Sequence, residues 1–148
     1  MAKEERSILI FNLGKDEFAF DVSYVLEVIP SGDIYKIPMA PEFITGMIKL
    51  RRHMVAVIDL SDKLKIKNNE KSLKKMIIIS KINNFILGFI IDSVKEVTGL
   101  TTDKYETAPV EDNYVSAIAR IGGRVVTILD PKHLLTNEEI NKLSRINK

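Results

Sequence analysis

The sequence contains no cysteine, which excludes disulfides and thiolate metal sites and fits a cytosolic chain. Histidine is scarce. His53 and His133 stand alone near a turn and a helix start, without a second histidine at metal-ligand spacing, so both are expected as exposed polar groups. Serine-nucleophile (GxSxG), Walker (GxxxxGKS/T) and dinucleotide (GxGxxG) patterns are missing. Gly122-Gly123 is too short to cradle phosphate. No constellation supports catalysis, and no cofactor or metal is expected. Long hydrophobic runs are missing too: Met76 to Ile91 is broken by Ser80, Lys81, Asn83 and Asn84, so it cannot cross a bilayer as a helix. The start, MAKEERS, lacks the apolar core of a signal peptide. Charge of one sign is lacking as well, with 22 Lys and Arg against 20 Asp and Glu. The basic residues are scattered, whereas a nucleic-acid binder concentrates them on one element among aromatics.

At 148 residues the chain suits one domain, or two small lobes sharing a core. Its apolar content, 45%, is that of a globular protein. The stretch Gly46 to Leu60, GMIKLRRHMVAVIDL, organises the rest. A strand with one buried face should alternate, yet Met54 to Ile58 is apolar throughout. Met76 to Ile79, Ile86 to Ile91 and Val125 to Leu129 behave alike. Such strands occur in doubly wound α/β proteins, but those need amphipathic helices between strands. Only Thr136 to Asn147 supplies one, with a capping box at Thr136 and Glu139 and with Ile140, Leu143 and Ile146 on one side.

The rest reads as strands and turns. Strands are expected from Ile8 to Leu13, from Phe18 after the Gly14-to-Glu17 turn, and from Tyr24 to Ile29. Ile37 to Pro41 is extended, and Glu42 to Met47 suits one helical turn. Asp62 to Ile66 suits a short helix, followed by a polar linker from Lys67 to Ser72. Hairpins are expected around Asn83-Asn84 and Gly122-Gly123, with a strand from Val94 to Val97 and a long loop from Thr98 to Asn113.

The chain also repeats itself. Val25-Leu26-Glu27-Val28 returns as Val94-Lys95-Glu96-Val97, and Val57-Ile58-Asp59 returns at nearly the same offset as Ile128-Leu129-Asp130. A duplicated β-unit follows. Two small barrels packed together, each strand facing its own barrel interior on one side and the interface on the other, account for the two-sided apolarity. Asp59 and Asp130 close equivalent strands and are expected to cap the turn after each, not to act as a carboxylate pair. Along 25–28, Leu26 and Val28 are expected in the core, with Val25 and Glu27 on the opposite face. Interface and ordinary surface are equally open readings for that face.

The order and spacing of FNLGKDEFAFDVSYVLEV, IPMAPEFITGMIKLR, VAVIDL, GFIIDSVKEV, YVSAIARIGGRVVTILD and the terminal helix resemble the CheW family of bacterial chemotaxis coupling proteins over nearly the whole chain. Gly46, Leu50, Arg51, Val57, Asp59 and Leu60 match the family pattern in the central stretch. Lys49, Arg52 and Ala56 stand where asparagine, glycine and proline are usual, and a positive φ at Arg52 would strain the bend. The resemblance implies a mainly β fold of two five-stranded SH3-like barrels in pseudo-twofold arrangement, with short helices and a C-terminal helix. The whole of 1–148 is then a single domain, its barrel halves near 8–66 and 75–135 and its helix near 136–147. It further implies a non-catalytic, cytoplasmic adaptor recruited to membrane-bound receptor arrays. The partners implied are the regulatory domain of the histidine kinase CheA and the cytoplasmic tips of methyl-accepting chemoreceptors. Receptor contact is expected around the groove between the barrels and kinase contact on an exposed barrel surface. Val25, Glu27, Gly46 and Arg51 fall in the protein-binding segments. For Arg51, holding neighbouring loops through its fork of donors and touching a partner are equally open. A small β-barrel nucleic-acid-binding module is the alternative, suggested by fold type and pI.

Overall fold

The computed structural model describes residues 5–66, 75–101, 103–106 and 114–146. The 67–72 linker, residues 107–113 of the expected loop and the last helical residue lie outside them. The strands, in chain order, begin with β1 (Glu5–Leu13), β2 (Asp16–Asp21), β3 (Val25–Pro30), β4 (Gly46–Leu50) and β5 (His53–Asp59). They continue with β6 (Met76–Ile82), β7 (Phe85–Ile91), β8 (Ser93–Thr101), β9 (Tyr105–Glu106), β10 (Val115–Ile121) and β11 (Arg124–Leu129). One sheet has the order β8-β1-β2-β11-β10-β9, the other β3-β6-β7-β5-β4. We call these the terminal and central barrels.

The two have one topology. Each contains a hairpin (β1-β2 or β6-β7) with an edge strand beside its first member (β8 or β3). The second member of the hairpin lies parallel to another strand: β2 to β11, and β7 to β5. The match explains the sequence repeat but alters its meaning. The hairpin of the first half, β1-β2, lies in the sheet with β8 to β11, and the hairpin of the second half lies with β3 to β5. Neither sheet therefore corresponds to 8–66 or 75–135, because each half contributes its hairpin to the other's sheet.

Side chains divide as a period of two requires. Ile8, Ile10, Val126 and Ile128 fill the terminal barrel, and Val55, Val57, Ile77 and Ile79 the central one. The alternate residues Leu9, Phe11, Ile58, Ile78 and Phe89 meet in a shared core between them. Phe20 and Phe89, equivalent positions of the two hairpins, touch edge to face with ring centroids 5.4 Å apart. Burying each Ile, Val or Leu contributes roughly 1.5–3 kcal/mol, so two-sided burial gives short strands stability that one face would not.

The helical pieces seal the ends. Asp59 accepts from the Ser61 N–H at 2.9 Å and caps α1 (Leu60–Lys63), while Asp130 accepts from the Lys132 N–H at 3.0 Å and caps the 3-10 turn Pro131–His133. The short helix thus begins two residues before the Asp62-to-Ile66 span expected for it and overlaps that span at Asp62 and Lys63. In α2 (Asn137–Ile146) the capping box is reciprocal: Glu139 N–H to Thr136 Oγ1 at 3.1 Å and Thr136 N–H to Glu139 Oε1 at 2.9 Å. Leu143 is fully buried in the shared core, with Ile140 packed beside it.

Other local expectations change. Residues 98–101 extend β8, because Leu100 is drawn into the terminal core. Tyr24 belongs to a 3-10 turn, Val22–Tyr24, capped by Asp21. Gly46 and Met47 open β4 instead of closing a helical turn, since both find partners in β5. Met54, Ile86 and Val125 are 45%, 41% and 61% exposed, so three of the apolar runs are open to solvent at one end.

Candidate functional site

Asp21 ends β2 by accepting from the Ser23 N–H at 3.0 Å, and the turn it caps sends the chain into β3 on the edge of the central sheet. Pairing of β3 with β6 is interrupted: Val25 faces Ser80 and Glu27 faces Ile79, with a register shift between them. This bulge inserts Leu26 as an extra residue and breaks the alternation. Val25 and Val28 consequently both pack on the shared core, while Leu26 turns outward and is 54% exposed. The expectation of a buried Leu26 is overturned for that reason. Nothing in the 25–28 segment announces a bulge, which depends on β6, a partner strand remote in the chain.

Glu27 meets Arg51. The Arg51 guanidinium donates from Nη1 to Glu27 Oε1 at 3.2 Å and from Nη2 to Oε2 at 3.1 Å, a two-pronged ion pair. Arg51 opens the two-residue turn joining β4 to β5. Since β3 and β4 are the two edges of the central sheet, the pair ties one edge to the other. The pair is open to water, with the Arg51 and Glu27 side chains 72% and 30% exposed. Pairs of this kind contribute about 0–1 kcal/mol.

The bend geometry differs from the expectation. Arg51 adopts φ +56°, and Arg52 is not among the residues with positive φ. The backbone strain anticipated at Arg52 therefore falls on Arg51. A left-handed conformation costs a residue with a Cβ roughly 1–2 kcal/mol, which the exposed ion pair does not recover.

Gly46 lies at the opposite end of β4, about 16 Å along the strand from Arg51 at ~3.3 Å per residue. It is buried, and a Cβ there would come within 2.6 Å of Ile34 Cγ2 and 2.8 Å of the Tyr35 carbonyl oxygen. Tyr35 and Met47 exchange backbone hydrogen bonds at 2.8 Å in both directions, so glycine permits the 34–35 strap to cross β4. The structure thus brings together Val25, Glu27 and Arg51 around β3 and leaves Gly46 at the other end of the sheet.

His53 is exposed, and His133 Nδ1 lies 2.8 Å from Asp130 Oδ2. Among the described residues no cluster of three or more His, Asp or Glu side chains is placed to hold a metal ion. No helix among them is long and apolar enough to cross a membrane.

The arrangement matches a known domain. Residues 7–139 fit the family model described as CheW-like domain. The chain belongs to the CheW family. The Chemotaxis protein CheW of Klebsiella aerogenes is 26% identical over 148 residues, spanning 97% of this chain and 89% of that protein. Its counterpart in Thermotoga maritima is 29% identical over 132 residues, covering 87% of both. Among solved structures, the scaffolding protein TtCheW from Thermoanaerobacter tengcongensis superposes with a TM-score of 0.82 at 31% identity, over 92% of each chain. Two SH3-like barrels on a shared core are the architecture of this CheW-like chain.

Proposed function

We propose that the chain is a non-catalytic, cytoplasmic adaptor that couples the regulatory domain of the histidine kinase CheA to the cytoplasmic tips of methyl-accepting chemoreceptors in membrane-bound arrays. Membership of the CheW family supports the reading. The observation that carries it is Arg51, an arginine held in a left-handed backbone conformation with an exposed guanidinium. A strain of roughly 1–2 kcal/mol against a surface pair of about 0–1 kcal/mol is a poor trade for stability. It is a sound one for presenting a rigid fork of donors to a partner.

In this reading β3 and the Arg51 turn form one contact surface. Glu27 orients Arg51, Leu26 offers apolar area, and half-buried Val25 shapes the strand beneath. Gly46 acts at a distance by seating the strap that braces β4. An adaptor works by holding two proteins at high effective concentration in fixed geometry, which requires rigidity, and the shared core provides it. Co-sedimentation with a CheA regulatory domain and with a receptor-tip fragment, separately and together, tests the proposal. Association with both, and more of each in the ternary mixture, is expected. Absence of association with either ends the reading. Because Val25 packs on the core, Leu26→Lys and Arg51→Gly are the cleaner probes, each expected to weaken association while the fold persists.

A further inference from the structure

The strap between β3 and β4 carries a strained residue of a different kind from Arg51. The Ala40 N–H donates to the Ile37 carbonyl at 3.2 Å, closing a four-residue turn with Pro38 and Met39 at its centre. Met39 adopts φ +65°. Proline in the second place and a positive φ in the third is the type II pattern, whose third place favours glycine or asparagine. Here a methionine occupies it, fully exposed to solvent. Its thioether has no strong hydrogen-bonding group to present, so neither its backbone nor its exposure is explained by a polar contact. A second turn, from the Ile44 N–H to the Pro41 carbonyl at 3.0 Å, anchors the strap through buried Ile44.

The same methionine stands on the rim of an open-sided cavity of about 150 Å³. Fully buried Ala56 forms its floor with Met47, its facing partner in the β4-β5 pair, and Ile37, Ala40 and Ile44 complete an apolar wall. No charged residue lines it. An apolar cavity of this size stays dry and admits a group about as large as benzene. A methionine side chain has comparable bulk and the flexibility to fill an irregular gap. The turn allows such a movement. Type I and type II turns both accept proline second and share the closing hydrogen bond, differing by rotation of the central peptide. That rotation, at Pro38–Met39, takes Met39 from positive to negative φ, so the step that relieves the backbone also redirects the side chain.

We propose that Met39 is a lid: rotation of the Pro38–Met39 peptide folds its side chain into the cavity over Ala56, and the structure shows the open form of this two-state strap. Closed, the lid pins the strap to the two strands that the Arg51 turn joins. It does not rest on the adaptor reading. The test uses the full chain with isotopically methyl-labelled methionine, the Met39 signal being assigned by its loss in Met39→Leu. Nuclear Overhauser contacts from the Met39 methyl to Ala56 and Ile44 are expected. Oxidation of Met39 by hydrogen peroxide, followed by mass spectrometry, should be severalfold slower than that of methionine in an unfolded peptide. Both signatures should vanish in Ala56→Leu, which fills the cavity from within. Saturating benzene, which fills it without a substitution, should abolish them equally and serves where the variant does not fold. A Met39 methyl without contacts to the cavity, oxidised as fast as the peptide, overturns the proposal. Benzene bound against Ala56 while Met39 keeps its contacts and its slow oxidation overturns it too, since the two would then occupy different places.

Discussion

The turns that join β4 to β5 and β10 to β11 occupy matching places in the two barrels, and their backbones agree closely: φ is +56° at Arg51 and +54° at Gly122. The terminal barrel uses glycine for this conformation, as physical chemistry favours, while the central barrel uses arginine. The glutamates on the two edge strands, Glu27 and Glu96, both meet an arginine from the neighbouring turn region. In the terminal barrel that arginine is Arg124, 30% exposed, bonded to Glu96 at 2.6 Å and to Glu17 at 3.1 Å. In the central barrel it is Arg51, strained and 72% exposed. One shared arrangement thus serves cohesion in one barrel and outward presentation in the other.

The largest test asks whether the barrels differ at all in their dependence on the shared core. Ile58 and Leu129, at matching strand ends, are 1% and 2% exposed in that core, so Ile58→Ala and Leu129→Ala should each destabilise by about 2–5 kcal/mol. Chemical denaturation should show one transition in both, since the largest cluster, the shared core, is built from strands of both barrels. Two separated transitions would show that the barrels unfold as individuals.

A smaller effect addresses the turns directly. Gly122→Ala, introducing a Cβ at φ +54°, should cost about 1–2 kcal/mol, whereas Arg51→Gly should leave stability unchanged or raise it by up to ~1 kcal/mol. Midpoints of urea unfolding decide this, and equal losses at both turns would erase the contrast drawn between them.

The clamp on α2 tests whether the terminal helix stabilises both barrels. Lys63 Nζ lies 2.7 Å from both Glu139 carboxylate oxygens. Burial pushes the Glu139 carboxyl up, but hydrogen bonds from Lys63 and the Thr136 N–H, with the Lys63 charge, outweigh it and hold the group below its ordinary 4.5. A lowered folded value means stability that is present above pH 4.5 and lost as pH falls through the folded value. Glu139→Gln should therefore cost about 1 kcal/mol at neutral pH and flatten the loss of melting temperature on acidification. An unaltered acid slope would remove Glu139 from the clamp.

The smallest effect concerns Ser80, which matches Phe11 in the other hairpin by the sequence repeat. Its hydroxyl is buried without a hydrogen-bond partner among the described residues, and removing an unsatisfied polar atom is close to neutral or stabilising. Ser80→Ala should shift stability by less than about 0.5 kcal/mol, or raise it, in thermal melts. A loss above about 1 kcal/mol would indicate that the hydroxyl has a structural partner.

Much of this is legible in the residues alone, because it depends on local chemistry. Asp59 and Asp130 cap the helical turns after them, Thr136 and Glu139 cap α2, and paired glycines turn the β10-β11 hairpin. The unbroken apolarity of 54–58 and 76–79 points to cover on both faces, which the rest of the chain supplies from Val55 onward but not at Met54. Around the candidate site less is legible. Glu27 and Arg51 belong to recognisable segments, but neither their pairing nor the exposure of Leu26 follows from them, and Gly46 belongs to a different end of the sheet.

The division has one physical cause. Caps, turns and the two-sided pattern are set within a few residues, by hydrogen bonds and backbone sterics that the residue types carry with them. The exchange of hairpins between barrels, the bulge that turns Leu26 outward and the strained turn at Arg51 depend on which strands pair. Hairpins β1-β2 and β6-β7 carry apolar residues on both faces and fit either sheet by pattern alone; their sheets are decided by long-range pairing, of β1 with β8 and β2 with β11 on one side and of β6 with β3 and β7 with β5 on the other.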